Sequence, residues 1–471
     1  MGSGPGEGAV RTSAREAGRD VPEVPGGLRM AGHALEFRRD PLGLFQRARE
    51  YGDVVRIRFG SAPVYVLNSP GAVRQALVGE ARKLDKGVTF GRAKRLMGDG
   101  LVLSDGDVHQ RQRRLMQPAF HRADIARYTR TMREVAVPRI DAWPDGGTLA
   151  FDYEMRSITL TVVTRALLSS DVGAGQIGEI ERLLHLLLPE LMPKTLAQLP
   201  YVGRIPTRSN LRFDAARRRL GAILTQIVEG YRAAGGDHGD LMSILLRARD
   251  EQTGTGMTDR QLRDEATTLV LAGSETTGNT LAWACYLLTQ HPEVAGRVQR
   301  EADTVLAGND AGYDDLGNLP LTRAVITEAL RLYNPVWILP RRAAADVELA
   351  GYRLPAGSVI FFSPYALNRD ARVHRDPDRF DPDRWATDYT RSDMRASFFP
   401  FGQGIRNCLG EGFAWAETVL VLSAIAARWD LRLADGASVR PIASSTLVAS
   451  ELPIIVTRRS PGGGLLLGQA E

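Results

Sequence analysis

Two short stretches hold residues whose types and spacing could do chemistry. The first is Phe401-Gly402-Gln403-Gly404-Ile405-Arg406-Asn407-Cys408-Leu409-Gly410. Three glycines let the backbone turn tightly and come close to a flat ligand. A helical pattern starts directly after Cys408, so the sulfur lies near a helix N-terminus, whose positive end favours thiolate over thiol. A thiolate is a soft metal ligand, and Arg406, two residues earlier, could pair with an acidic group on the same ligand. The second stretch is Ala272-Gly273-Ser274-Glu275-Thr276-Thr277. An acid beside a hydroxyl can relay protons to a reacting atom. Glycine and consecutive threonines weaken a helix, by up to about 1 kcal/mol for glycine, so a helix carrying them there gains something else. The alternative is that the threonines bond back to the carbonyl four residues earlier and only bend the helix.

Further pairs stand at helical spacing. Glu328 and Arg331 are i,i+3 and can meet; alone, such a pair is usually a solvent-facing salt bridge. His109 and Arg113 are i,i+4 on the basic stretch HQRQRRLMQPAF, which could equally be a solvated face. Cys285 lies among Leu281, Trp283 and Leu288 and reads as an inert core thiol.

The elements that must position these residues are mostly helical. Thr258 and Gln261 form a capping-box pattern, and the helix they open can run to about Gln290, roughly 45 Å at the usual rise per residue. A second helix covers Thr322 to Leu332. Near the N-terminus, Val54 to Gly60 and Val64 to Asn68 alternate like paired strands, and Ser69-Pro70 starts a helix. Short strands are expected around Arg341 to Leu349 and Gly357 to Phe362. The fold class is therefore mainly α with a minor antiparallel β region. Loose tails are expected at 1–25 and 459–471, around a single domain at 26–458.

Composition narrows the function. The 471 residues are 44% hydrophobic and 24% charged, with a net charge of only +5, which fits a solvated globular surface. No basic run is interleaved with aromatics, so nucleic-acid binding is not expected. Two cysteines suit a reducing interior. There is no apolar leader and no 18-residue apolar run, so a soluble cytoplasmic protein without a membrane anchor is expected.

The loop F-x-x-G-x-R-x-C-x-G resembles the haem-binding loop of the cytochrome P-450 family at every position, and Ala272 to Thr277 resembles that family's oxygen-activation motif. The motifs arrive in the family's order across roughly Pro25 to Val456. The resemblance implies a single triangular-prism-like domain that binds haem b (iron protoporphyrin IX), with the Cys408 thiolate as axial ligand to iron. Thiolate donation favours O–O cleavage. It implies that Phe401 packs against the loop and tempers the sulfur, with Gly410 completing it. Gly273 would make room for O2, Thr276 would hold the activated oxygen, and Glu275 would pass protons inward. Arg113, Arg406, His109 and Arg341 would reach the haem propionates. Glu328, Arg331 and Arg384 would form a buried structural set.

The activity implied is insertion of one oxygen atom from O2 into an apolar small molecule, plausibly a terpenoid, by a monomer. Electrons would come from a ferredoxin and ferredoxin reductase, docking on a basic face that includes Arg111 and Arg114. Substrate walls would come from Val336 to Leu339, from Leu186 to Leu199 (Leu187, Leu188, Leu191, Met192, Leu196), and from Ser444 to Val448. Two rivals use the same loop. A peroxygenase taking oxygen from H2O2 usually lacks the acid–threonine pair, and a haem sensor or carrier has no use for a proton relay.

Overall fold

A computed structural model describes residues 20–87, 93–94, 98–168, 175–180, 182–184, 186–187, 207–235, 239–387 and 397–460. The chain folds as two compact units. The smaller comprises the described part of residues 1–85 with 338–367 and 403–406; the larger holds the rest.

The smaller unit is built on a five-stranded sheet of β1 (Val54–Phe59), β2 (Ala62–Leu67), β3 (Leu84–Asp85), β4 (Leu339–Ala343) and β5 (Val359–Phe362), in the order β1-β2-β5-β4-β3. The β1–β2 hairpin puts Val54 opposite Leu67, and burial of Val55, Ile57, Val64 and Val66 holds the pair to the core. The sheet is not wholly antiparallel as expected: β2 and β5 run parallel. They lie far apart in the chain, so no tight turn forces them antiparallel. The expected N-terminal tail is also shorter, because Arg56 N–H donates to Pro22 O, Val24 N–H donates to Arg56 O, and Glu23 pairs with Arg56 and Arg58. Ser69 caps the helix Pro70–Arg74 as its sequence suggests.

The larger unit is helical. Its principal helices are α1 (Gly106–Met116), α2 (Arg122–Asp141), α3 (Phe151–Leu167), α4 (Arg208–Ala234), α5 (Asp259–Gln290), α6 (Pro320–Leu332) and α7 (Glu411–Arg428). Helix α5 begins with the predicted capping box: Gln261 N–H donates to Thr258 Oγ1, and Thr258 N–H donates to Gln261 Oε1. It is buried along most of its 32 residues and packs closely on α3. Gly278 permits that approach, since a Cβ there would lie 2.7 Å from the Arg156 Cα. A two-stranded ribbon, β6 (Pro441–Ala443) and β7 (Leu447–Ala449), brings its turn to α5, where Trp283 Nε1 donates to Leu447 O. A three-stranded sheet of 147–150, 429–433 and 453–458 completes the unit. The expected C-terminal tail also starts later, because Arg459 pairs with Asp303 and its N–H donates to Arg428 O. Among the described residues no helix is long and apolar enough to cross a membrane.

Candidate haem-thiolate site

In the larger unit, Phe401, Cys408 and Gly410 lie together ahead of α7. Cys408 N–H donates to Phe401 O at 2.8 Å, closing the loop, and the Phe401 ring packs on Trp415 at 5.6 Å. Gly402 and Gly404 hold left-handed backbone, φ +74° and +70°, as the tight turn requires. Gly410, at φ −86°, does not; it is the N-cap of α7. Solvent reaches Cys408 while Cys285 is wholly buried. Desolvation by the surrounding protein nevertheless pushes the Cys408 thiol up to about 11. The Gly410 N–H and the Arg113 charge oppose the rise, and Glu411 adds to it. The expected stabilisation of thiolate by the helix end is thus present in direction but outweighed by burial. A bound metal cation would supply the missing stabilisation.

Arg113 is half-buried and donates to Asn407 O and to Asn407 Oδ1, at 2.8 and 2.5 Å. Both of these acceptors are neutral, and desolvation lowers its pKa. A half-buried cation bonded to neutral acceptors beside a cysteine fits a ligand that carries both a metal and a carboxylate, as haem does. His109 is buried on the same helix. Arg341 and Arg406 belong to the smaller unit. Arg341 is buried on β4 and donates to Pro340 O, and Arg406 ends the turn Gly404–Arg406.

Helix α5 is interrupted by exposure at its middle. Ala272 is exposed, Gly273 and Thr276 are half-exposed, and Ser274, Glu275 and Thr277 are buried. Thr276 Oγ1 donates to Ala272 O at 2.6 Å, the back-bond that the sequence left open as an alternative. Gly273 serves the helix contact: a Cβ there would stand 2.9 Å from Val163 Cγ2 of α3, so its missing side chain faces α3 and not open space. The Glu275 carboxylate accepts from Ser445 Oγ at 3.1 and 3.3 Å. Burial raises its pKa, while Ser445, Thr446 and the Arg156 charge pull it down.

Below this, Glu328 and Arg331 are both fully buried and paired at 2.7 Å. Arg384 Nε and Trp385 Nε1 also donate to Glu328, at 3.0 and 2.9 Å. The sequence pointed to the first three members of this set but not to Trp385, whose only signal was its place beside Arg384. Asn407 and Glu417 were missed as well, and Ser445, expected only within a substrate wall, meets Glu275. Glu417 of α7 is fully buried beside Thr277, its carboxyl raised well above the ordinary range by burial.

Arg111 donates to Thr255 O, Thr255 Oγ1 and Gly256 O, and Arg114 donates to the buried Asp250 and to Gln252. Among the described residues Arg111 thus meets only neutral acceptors, and Arg114, still exposed, pairs with one carboxylate. Of the expected substrate walls, Leu188, Leu191, Met192 and Leu196 lie outside the described residues; Leu187 is buried and Leu186 exposed.

Comparison with known proteins agrees with this geometry. The cytochrome P450 family profile matches residues 22–458, across both units. The chain is 38% identical to cyclooctat-9-en-7-ol 5-monooxygenase of Streptomyces melanosporofaciens, covering 93% of this chain and 95% of that protein. It is likewise 38% identical to pentalenene oxygenase of Streptomyces avermitilis, over 93% and 98%. The crystal structure of the cytochrome P450DA haem domain aligns with a TM-score of 0.84 at 25% identity, covering 94% of this chain and 98% of that one. A cysteine loop closed on Phe401, a buried Glu328–Arg331–Arg384 set and an end-to-end family match have one common explanation: the chain belongs to the cytochrome P450 family and is a haem-thiolate monooxygenase.

Proposed function

We propose that the enzyme inserts one oxygen atom from O2 into a cyclic terpenoid, with electrons from a separate ferredoxin and its reductase. The observation that carries the oxygen chemistry is the half-exposed Thr276 beside the buried Glu275, at the exposed middle of a largely buried helix. Haem would be held by the Cys408 thiolate, with Arg113 and His109 of the same unit as candidate partners for its carboxylates, and would supply the redox chemistry. Thr276 offers a hydroxyl at the exposed face of α5, and Glu275 holds a proton in reserve behind it. Burial raises the pKa of that carboxyl above the ordinary range for a glutamate, which favours its holding a proton.

The substrate class rests on relatives that act on cyclooctat-9-en-7-ol and pentalenene, and on apolar wall residues. Trp337 and Leu447 are buried, and neither the 336–337 segment nor the 444–448 turn carries a charged side chain. Such walls hold a ligand by burial of apolar area, at about 25 cal/mol per Å².

Two tests follow. Thr276→Ala should keep reductant consumption while peroxide replaces product, with product per electron falling on the order of tenfold, as when a positioned proton-transfer group is lost. Unchanged coupling in both Thr276→Ala and Glu275→Gln would remove the relay. For the substrate, titrating the ferric enzyme with pentalenene, fatty acids and macrolides should give the largest spectral shift with pentalenene. A shift with charged or glycosylated ligands alone would contradict the terpenoid reading.

A further inference from the structure

The Glu275 carboxylate, 9% exposed, is held by a residue from a different part of the chain. Ser445 sits at the tip of the β6–β7 turn, and its hydroxyl reaches both carboxylate oxygens. The turn is fixed on every side. Trp337 Nε1 donates to Ser444 O at 2.9 Å, Asn279 Nδ2 of α5 donates to Thr446 Oγ1 at 2.9 Å, and Leu447 N–H donates to Pro335 O at 2.9 Å. Within the turn, Ser444 N–H donates to Thr446 O. A hydroxyl on so constrained a backbone has little freedom to leave its partner.

We propose that Ser445 is a positioning residue for proton delivery, holding the Glu275 carboxyl in the orientation from which it serves Thr276. The inference rests on the relay reading of Glu275 and Thr276 above. The groups facing the carboxyl are few. Ser445 and Thr446 come from the turn, and among the described residues the charge acting on it is Arg156 of α3. That arginine is itself paired with Asp152 at 2.8 Å and donates to Asn279 Oδ1 at 3.3 Å. Arg156 therefore acts on Glu275 at a distance, while Ser445 fixes the direction of the carboxyl by contact. The same turn contacts Trp337, an expected substrate wall, so acid and wall share one rigid support. A serine that only satisfies a buried acceptor would affect stability and leave the yield of chemistry per electron unchanged.

The test compares the holoenzyme with its Ser445→Ala, Ser445→Thr and Glu275→Gln variants. The first readout is the infrared carboxyl band that Glu275→Gln removes, titrated against pH in the ferric enzyme. Loss of a donor to the carboxylate favours the protonated form, so in Ser445→Ala the band should persist to higher pH than in the wild type. The second is product and peroxide per electron, with a surrogate ferredoxin pair and whichever of pentalenene and cyclooctat-9-en-7-ol shifts the ferric spectrum more. Ser445→Ala should lose about three- to tenfold in product per electron, the scale of one ordinary hydrogen bond. Ser445→Thr, which keeps the hydroxyl, should restore both readouts. If Ser445→Ala does not retain haem, Ser445→Cys, close in size and a weak donor, should show the same two changes. An unmoved band and unchanged coupling in these variants, beside an uncoupled Glu275→Gln, would overturn the role of Ser445 alone. Unchanged coupling in Glu275→Gln would instead overturn the relay itself.

Discussion

Glu328→Ala should cost about 3–5 kcal/mol of stability, the usual scale for removing one partner of a buried ion pair. Glu328 accepts from Arg331 Nε and Nη2, Arg384 Nε, Trp385 Nε1 and the Asp381 N–H, all between 2.7 and 3.1 Å. Its loss strands the fully buried Arg331 and the nearly buried Arg384 without their carboxylate. Arg331 also donates to Asn368 O and Arg379 O, so the pair ties α6 to the segment that leads toward the cysteine loop. Arg331→Lys should fail nearly as badly, because an ammonium cannot span these acceptors in the plane that the guanidinium does. Denaturant unfolding and haem content of the purified variants check this. A Glu328→Ala protein within about 1 kcal/mol of the wild type, the scale of an exposed pair, would mean that the set is not structural.

Cys408→Ser should abolish monooxygenase activity, leaving it at background. The chain has two cysteines, and Cys285 is wholly buried with its thiol pushed far up by desolvation, so it cannot substitute. Cys408 is reached by solvent and sits beside Arg113 and the Gly410 N–H. Its own environment keeps the free thiol protonated near neutral pH, so the charge that makes it a ligand must come from the metal. A serine hydroxyl, much less acidic than a thiol, is the poorer anion in the same place. It also lacks the soft, electron-rich sulfur that favours O–O cleavage. Turnover with a surrogate reductase pair, compared at equal haem content, reads the effect.

What the sequence made legible were features written in contiguous residues. The cysteine loop, the acid–threonine pair, the capping box at Thr258 and the β1–β2 hairpin each lie within a short window, where spacing determines contact. The features it hid arise from contacts between distant segments. Ser445 meets Glu275, Trp385 joins Glu328, and residues 250–256 accept hydrogen bonds from Arg111 and Arg114, because folding brings these segments together and no local pattern marks it. The parallel β2–β5 pair was hidden for the same reason. Gly273 was read for its smallness, and a Cβ there would meet Val163 of α3, a neighbour that no local pattern marks. For Cys408 the local signal, a helix N-terminus, had the right sign, and burial by the rest of the chain exceeded it.

The central claim, that Cys408 is the axial ligand of a haem in this chain, is tested most directly by the absorption spectrum of the reduced enzyme with carbon monoxide. The wild type should show the long-wavelength band typical of thiolate ligation, and Cys408→Ser should lose it. A wild-type complex with the band of histidine ligation, or a Cys408→Ser protein that keeps the thiolate band, would contradict the account.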